Sequence, residues 1–192
     1  CIITYTNGDI SIMSELRTNR IIPRDGLVSG TGVGGGIIQV RNNIITSASN
    51  NNTASNNFWN TSVSVAIVPT RSDSKILISG HVCCSVTGPQ YNIGVGIYRD
   101  GSIIDGARGA AASNRSRVLA SGAMNHSENQ MESIPFNYMD TADNTSSRTY
   151  SIAIFNPSSI TRQVYLNRGV TDTDQSYYTR GASVITVMEV SG

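Results

Sequence analysis

Hydrophobic and polar residues alternate along most of the chain beyond Gly36. Val63, Val65 and Ile67 alternate with Ser62, Ser64 and Ala66 as far as Pro69. Ile76, Ile78, Gly80, Val82 and Cys84 repeat the pattern, as do Ile93, Val95 and Ile97. Successive side chains of a strand point to opposite faces, so a period of two predicts half-buried β-strands. Pro69 has no N–H for a ladder and ends the first of them. Arg99-Asp-Gly-Ser102 is a hairpin-turn sequence. Ile37–Arg41 opens the pattern, and further strands are predicted at 115–120, 131–139, 149–155 and 163–168. Asn50–Asn57 reads as a polar loop. The stretch Arg180-Gly-Ala-Ser-Val-Ile-Thr-Val-Met-Glu-Val190 is apolar at nearly every position and rich in β-branched residues, which predicts a strand covered on both faces. No helical period is visible. Short strands separated by Gly, Asn and Pro give an all-β class, with an antiparallel β-sandwich or jelly roll as the architecture.

The pattern breaks before residue 37. Pro23, Asp25-Gly26 and the glycines at 30, 32, 34, 35 and 36 exclude a helix and mark a connector. They divide the chain into an extended N-terminal arm, 1–36, and a head domain, 37–192. The glycines suit a linker, or three chains crossing at a narrow axis. They do not suit a phosphate loop, because no Lys-Ser/Thr follows them. Within the arm, Asn7-Gly8 predicts a small hairpin over residues 1–12. Met13 is a natural start, so those twelve residues read equally as an upstream extension.

Composition narrows the function. With 192 residues there is room for one sizeable core. Only 14% of residues are charged and the net charge is +1, so no global field favours nucleic acid or an anionic membrane. No apolar run reaches the roughly 18 residues of a membrane span. The basic residues are all Arg except Lys75, a bias that suits planar contacts between subunits. The three Cys form no disulfide framework, and adjacent Cys83 and Cys84 face opposite sides of a strand. His81 and His126 lack partners at metal or triad spacing. Asp140-Thr-Ala-Asp143 and Asp172-Thr-Asp174 pair carboxylates in loops, where turn capping is the expected role and Ca²⁺ ligation or glycosidase chemistry the alternatives. No catalytic set, metal site or cofactor site is predicted.

Five motifs then occur in order: Gly36-Ile-Ile-Gln-Val40, Ser74-Lys-Ile-Leu-Ile78, Ile97-Tyr-Arg-Asp-Gly101, Val164-Tyr-Leu-Asn-Arg-Gly169 with Asp172-Thr-Asp174, and Arg180–Val190. Their succession resembles the C-terminal domain of tail-fibre and receptor-binding proteins of tailed bacteriophages, especially phages of cyanobacteria and other aquatic bacteria. Ser14 to Gly26 resembles the lead-in of such proteins, and residues 1–12 depart from it. The resemblance implies a homotrimeric virion protein made in the bacterial cytoplasm, with an arm that attaches to other tail or capsid proteins and a head that faces the host. A charge-poor chain with a Gly-rich neck and a doubly covered final strand fits a trimer on physical grounds too, although a closed monomeric sandwich hides such a strand as well.

Such a head is expected to bind a host-surface glycan without catalysis. Sugars are held by aromatic faces and by polar side chains at their hydroxyls, and loops on a rigid sandwich carry such contacts. The candidates are Trp59, Tyr91, Tyr177, Tyr178 and Arg180. Each aromatic has a competing role in core or trimer packing, above all Trp59, which runs directly into an alternating strand. A purely structural virion protein and a polysaccharide-cleaving fibre are the alternative functions.

Overall fold

The computed structural model describes residues 36–88, 92–123 and 130–192, together with the strands β1 (Tyr5–Thr6) and β2 (Asp9–Ile10). The chain divides into the units Cys1–Gly35 and Gly36–Gly192. In the first unit β1 pairs antiparallel with β2, Thr6 opposite Asp9. The Asn7-Gly8 turn, the glycines before Gly36, Tyr91 and His126 lie outside the described residues.

The second unit is built from β3 (Ile37–Ile45), β4 (Ser49–Thr53), β5 (Asn57–Ile67), β6 (Lys75–Val86), β7 (Asn92–Arg99), β8 (Ser102–Ile103), β9 (Ala120–Ala123), β10 (Glu132–Thr141), β11 (Arg148–Asn156), β12 (Arg162–Leu166) and β13 (Ser183–Val190). Among the described residues the only helical element is one 3-10 turn at Asp105–Ala107. Sheet I runs β3-β13-β6-β12-β4, with β10 on the other side of β6; sheet II runs β5-β11-β7-β8, with β9 also on β7. Every pairing is antiparallel. The antiparallel sandwich expected from the alternation is the observed fold.

Inward residues of both sheets close one core, with Ile76, Ile78, Val82 and Cys84 of β6 meeting Val63, Ile93, Val95, Ile152 and Ile154 of sheet II. Three expectations are corrected. The Asn50–Asn57 stretch contains β4, paired with β12 from Ser49 to Thr53. The strand expected at 115–120 begins only at Ala120, since its pairing with β7 runs from Ala120 to Ala123. The final strand is not covered on both faces in this chain: Ser183, Ile185, Val187 and Glu189 are buried, whereas Val184, Thr186, Met188 and Val190 are half-buried. It lies between β3 and β6, so its edges are closed by hydrogen bonds while only one face meets the core.

The outer faces of the two sheets differ. On sheet II, Ile103 and Phe58 fold over Gly96, where an added Cβ would lie 2.7 Å and 2.8 Å from them, and Val118 lies over Gly94. Phe58 also packs on Phe155, ring centroids 4.9 Å apart. What sheet II leaves exposed is polar or small, as at Asn60, Ser62, Ala66 and Thr149. On sheet I the register aligns Val40, Met188, Leu77 and Met139 in one row across four strands. Ile44, Val184, His81 and Pro135 form a second row. Between them runs the polar row Asn42, Thr186, Ser79 and Asn137, where Asn42 Nδ2 donates to Thr186 Oγ1 at 2.8 Å. Val40, Ile44 and Met139 are about half exposed, at 49%, 55% and 48%.

Two buried polar groups pin the sandwich. Asp140 at the end of β10 accepts from Tyr150 Oη of β11 at 2.8 Å and from Arg99 Nη1 of β7 at 3.0 Å, which ties sheet I to sheet II. Glu189 is fully buried on β13 and accepts from Gln39 Nε2 at 2.6 Å and from the Thr70 N–H and hydroxyl, both at 2.8 Å. At the far edge the amides of Gln39 and Asn43 on β3 donate to the carbonyls of Val68 and Ser64, at 2.7 Å and 2.8 Å. Side-chain donors thus bridge the two sheets along an edge that has no ladder.

Burial alone would raise the Glu189 carboxyl, but the donors around it, Gln39 first, outweigh that and hold it at about 2. The folded carboxyl keeps its charge to lower pH than the unfolded one. Its stabilisation is therefore complete above the ordinary value of 4.5 and is lost as pH falls towards 2. Glu189→Gln is predicted to flatten the dependence of unfolding free energy on pH in that window; equal slopes for both proteins would refute the assignment. Gly96→Val is predicted to cost about 1–3 kcal/mol through overpacking against Phe58 and Ile103, read from the denaturant midpoint. An unshifted midpoint would show that the outer layer yields freely.

Candidate recognition site

The connection between β12 and β13, residues 167–182, is the longest described loop that carries paired aromatics, and its base is built in. Asn167 is buried in a left-handed conformation, φ 60°, and its N–H donates to Cys83 O at 2.7 Å. Its side chain donates to Ile45 O at 2.7 Å and to Ser47 O at 3.1 Å, and accepts from Ser183 Oγ at 2.6 Å. One amide therefore joins the end of β12, the turn after β3 and the start of β13. Gly181 N–H donates to Asn167 O at 3.0 Å and closes the loop, with Arg168 bridged to Arg180 in antiparallel fashion.

Asp172 organises the loop above this base. Arg180 Nε donates to Asp172 Oδ1 at 2.7 Å and its Nη2 pairs with Oδ2, a bidentate contact, while Arg168 Nη1 lies 3.3 Å from Oδ2. Arg168 also donates to the carbonyls of Gly169 and Val170, at 2.9 Å and 2.7 Å. Its guanidinium sits 4.8 Å over the Tyr165 ring. Planar guanidinium groups suit this combination of fork and stack, which an ammonium does not. Beyond Asp172, hydrogen bonds from Gln175 N–H to Thr173 O and from Tyr178 N–H to Gln175 O turn the chain tightly, at 2.8 Å and 3.1 Å. The turn sets Tyr177 beside Tyr178, ring centroids 4.6 Å apart, with Tyr177 67% exposed.

A polar chain continues from Tyr165 onto sheet I. Tyr165 Oη donates to Gln163 Oε1 at 2.6 Å, and Gln163 Nε2 donates to Asn50 Oδ1 at 2.9 Å. Tyr165 and Asn50 are direct cross-strand neighbours. Arg168 links the two parts, because it touches both Tyr165 and Asp172.

Tyr177, Tyr178 and Arg180 share this loop, with the two rings in contact and Arg180 committed to Asp172. Trp59 is elsewhere: on β5 of sheet II it lies opposite Ile154 and packs against the core. Sequence reasoning missed Asn50, Gln163, Tyr165 and Arg168. The i, i+2 spacing of Gln163 and Tyr165 was the available signal, since it sets both on one face of β12.

The remaining candidate chemistry is held in structural contacts. His81 Nε2 lies 3.0 Å from Ala182 O. Cys84 is in the core, where burial first, and then the nearby Cys83 and Glu132, push its thiol well above the ordinary value. Asp143 accepts from Thr141 Oγ1 at 2.7 Å and lies near both Arg99 and Arg148, at 3.7 Å and 3.6 Å. Among the described residues no three His, Cys, Asp or Glu side chains gather at metal-binding distance, and no helix is long and apolar enough to cross a membrane.

No protein-family model and no curated protein matches the chain. Among solved structures it is similar to one of the infectious bursal disease virus Gt strain, with TM-score 0.38 and 11% identity over 80% of this chain and 40% of that one. A structure of the Gx strain of the same virus gives TM-score 0.38 and 13% identity over 80% and 41%. The chain thus spans about two-fifths of the length of those chains.

Asp172→Ala is predicted to release Arg168 and Arg180 together. Amide exchange across residues 169–181 should quicken roughly tenfold or more, while global stability changes by no more than about 1 kcal/mol. Unchanged exchange there would mean that Asn167 and the backbone alone hold the loop.

Proposed function

We propose that this chain is the host-facing β-sandwich of a homotrimeric virion attachment protein of the tail-fibre kind its motifs resemble, and that it binds a host-surface glycan without catalysing a reaction. The observation that carries the reading is the Tyr177–Tyr178 pair, held out by the Arg168–Asp172–Arg180 clamp on a loop rooted in the sheet. An exposed aromatic face receives the CH face of a sugar. The amides of Asn50 and Gln163, joined to the clamp through Tyr165 and Arg168, offer further donors and acceptors on the same sheet. A glycosidase needs two carboxyl groups facing one another across a substrate groove, whereas Asp172 is engaged by the guanidinium groups of Arg168 and Arg180. The N-terminal arm, in this reading, attaches to other tail or capsid proteins.

A purely structural virion role has one observation in its favour: the apolar rows on sheet I suit protein partners better than sugars. A glycan array probed with the full chain separates the two. Binding to host-envelope saccharides that falls at least tenfold in Tyr177→Ala with Tyr178→Ala, while saccharide length stays unchanged on long incubation, is the expected result. Absence of binding to any host saccharide would favour the structural role, and shortened saccharides would favour cleavage.

A further inference from the structure

We infer that the cleft where the ends of β6 and β11 meet the start of β12 binds a carboxylate, with Arg162 as its charged donor, separately from the aromatic loop at the other end of β12. The cleft measures about 210 Å³ with its mouth included, and Thr87, Gly88, Asn156, Ser158 and Arg162 lie in its wall. The β6–β12 pairing runs one step past Val86: the Thr87 N–H donates to Gln163 O at 2.9 Å, and the Gln163 N–H donates to Thr87 Oγ1 at 3.1 Å. That register sets Gly88 against Arg162, and a Cβ on Gly88 would lie 2.7 Å from the guanidinium carbon. Glycine leaves the guanidinium its seat, and it also suits the left-handed φ of 81° found there.

Two observations point to an anion from outside the chain. First, every other buried or half-buried arginine among the described residues has a carboxylate partner: Arg99, Arg108, Arg117, Arg148 and Arg168. Half-buried Arg162 has none among them, and Pro89, Gln90 and Tyr91, which follow Gly88 in the chain, carry no carboxylate. Partly desolvated charge is stabilised by pairing, so a counter-charge from solution is favoured. Second, the side-chain polar groups of the wall that keep capacity are donors. Asn156 is fully buried and spent: its Nδ2 donates to the Thr53, Ala54 and Ile160 carbonyls, and its Oδ1 accepts from the Ser158 N–H at 3.0 Å. Ser158 Oγ accepts from the Ile160 N–H at 3.3 Å and from Arg162 Nε at 3.4 Å, which leaves its own O–H to give. With the two amino groups of Arg162 this makes a donor-only set, which suits an oxyanion and opposes a cation. One guanidinium balances one negative charge, and its fork matches two coplanar oxygens. A carboxylate has both properties, whereas a phosphate group carries about 1.5 to 2 negative charges at neutral pH. The contact is the same for a small organic acid and for an acidic saccharide.

The test is a titration of the full chain at low ionic strength with glucuronate, acetate, glucose and inorganic phosphate, followed by the NMR signals of the Arg162 Nε–H and the Gly88 amide. Both carboxylates should shift these signals saturably, and phosphate should bind more weakly than either. Affinity for acetate at least equal to that for glucuronate would identify the carboxylate group alone as the ligand; tighter binding of glucuronate would identify an acidic saccharide as its carrier. Arg162→Gln should weaken binding at least about tenfold, the scale of one hydrogen-bonded charge. Gly88→Ala, which keeps the charge and displaces the guanidinium, should weaken it as well. Arg115→Gln removes an exposed arginine and should change nothing. No saturable shift with either carboxylate, binding of glucose or phosphate as tight as that of glucuronate, or equal affinities in the natural chain and Arg162→Gln would overturn the site.

Discussion

Everything in the sandwich depends on the register of β6. This twelve-residue strand pairs with β10 along one edge and with β13 and then β12 along the other. Because side chains alternate, a slip of one residue would carry Ile76, Ile78, Val82 and Cys84 out of the core and put Leu77, Ser79 and His81 in their place. The core residues of sheet II have no other surface to meet. Asp140 and Glu189 reinforce the same register, because each is a buried carboxyl group whose donors are met when β10 and β13 are aligned as they are. A buried carboxylate without those donors would cost more than it stabilises.

The class of fold was legible because this constraint is written in period two. Val63, Val65 and Ile67, like Ile93, Val95 and Ile97, declare strands by their alternation alone. What escaped was whatever lacks that period. β4 is Ser-Asn-Asn-Asn-Thr at a sheet edge, exposed except at its ends, so pairing with β12 alone makes it a strand. β9 is Ala-Ser-Gly-Ala, poor in strand-forming residues, and exists because β7 offers it an edge. The last strand misled in the opposite direction. Val184, Met188 and Val190 are as apolar as Ile185 and Val187, and apolarity does not distinguish the core face of a strand from its outer face.

The loop between β12 and β13 shows the same limit. Tyr177 and Tyr178 stand as an aromatic pair close to Arg180 in the sequence, but the ion pairs that join Asp172 to Arg168, four residues before it, and to Arg180, eight after it, follow no sequence period. The Asn167 amide that roots the loop joins segments more than a hundred residues apart. Sheet I thus presents two unlike surfaces: the loop after β12 carries an aromatic pair and the ion-paired Asp172, and the outer face of the sheet carries Val40, Ile44 and Met139 about half exposed.

The register of β6 is tested most directly by denaturant unfolding of two substitutions at neighbouring positions, Leu77→Asp and Ile78→Asp. Ile78 is fully buried, whereas Leu77 is half-buried on the outer face. The register predicts that Ile78→Asp abolishes the cooperative transition or costs about 3 kcal/mol or more, and that Leu77→Asp costs about 1 kcal/mol. Equal losses, or the larger loss for Leu77→Asp, would contradict it.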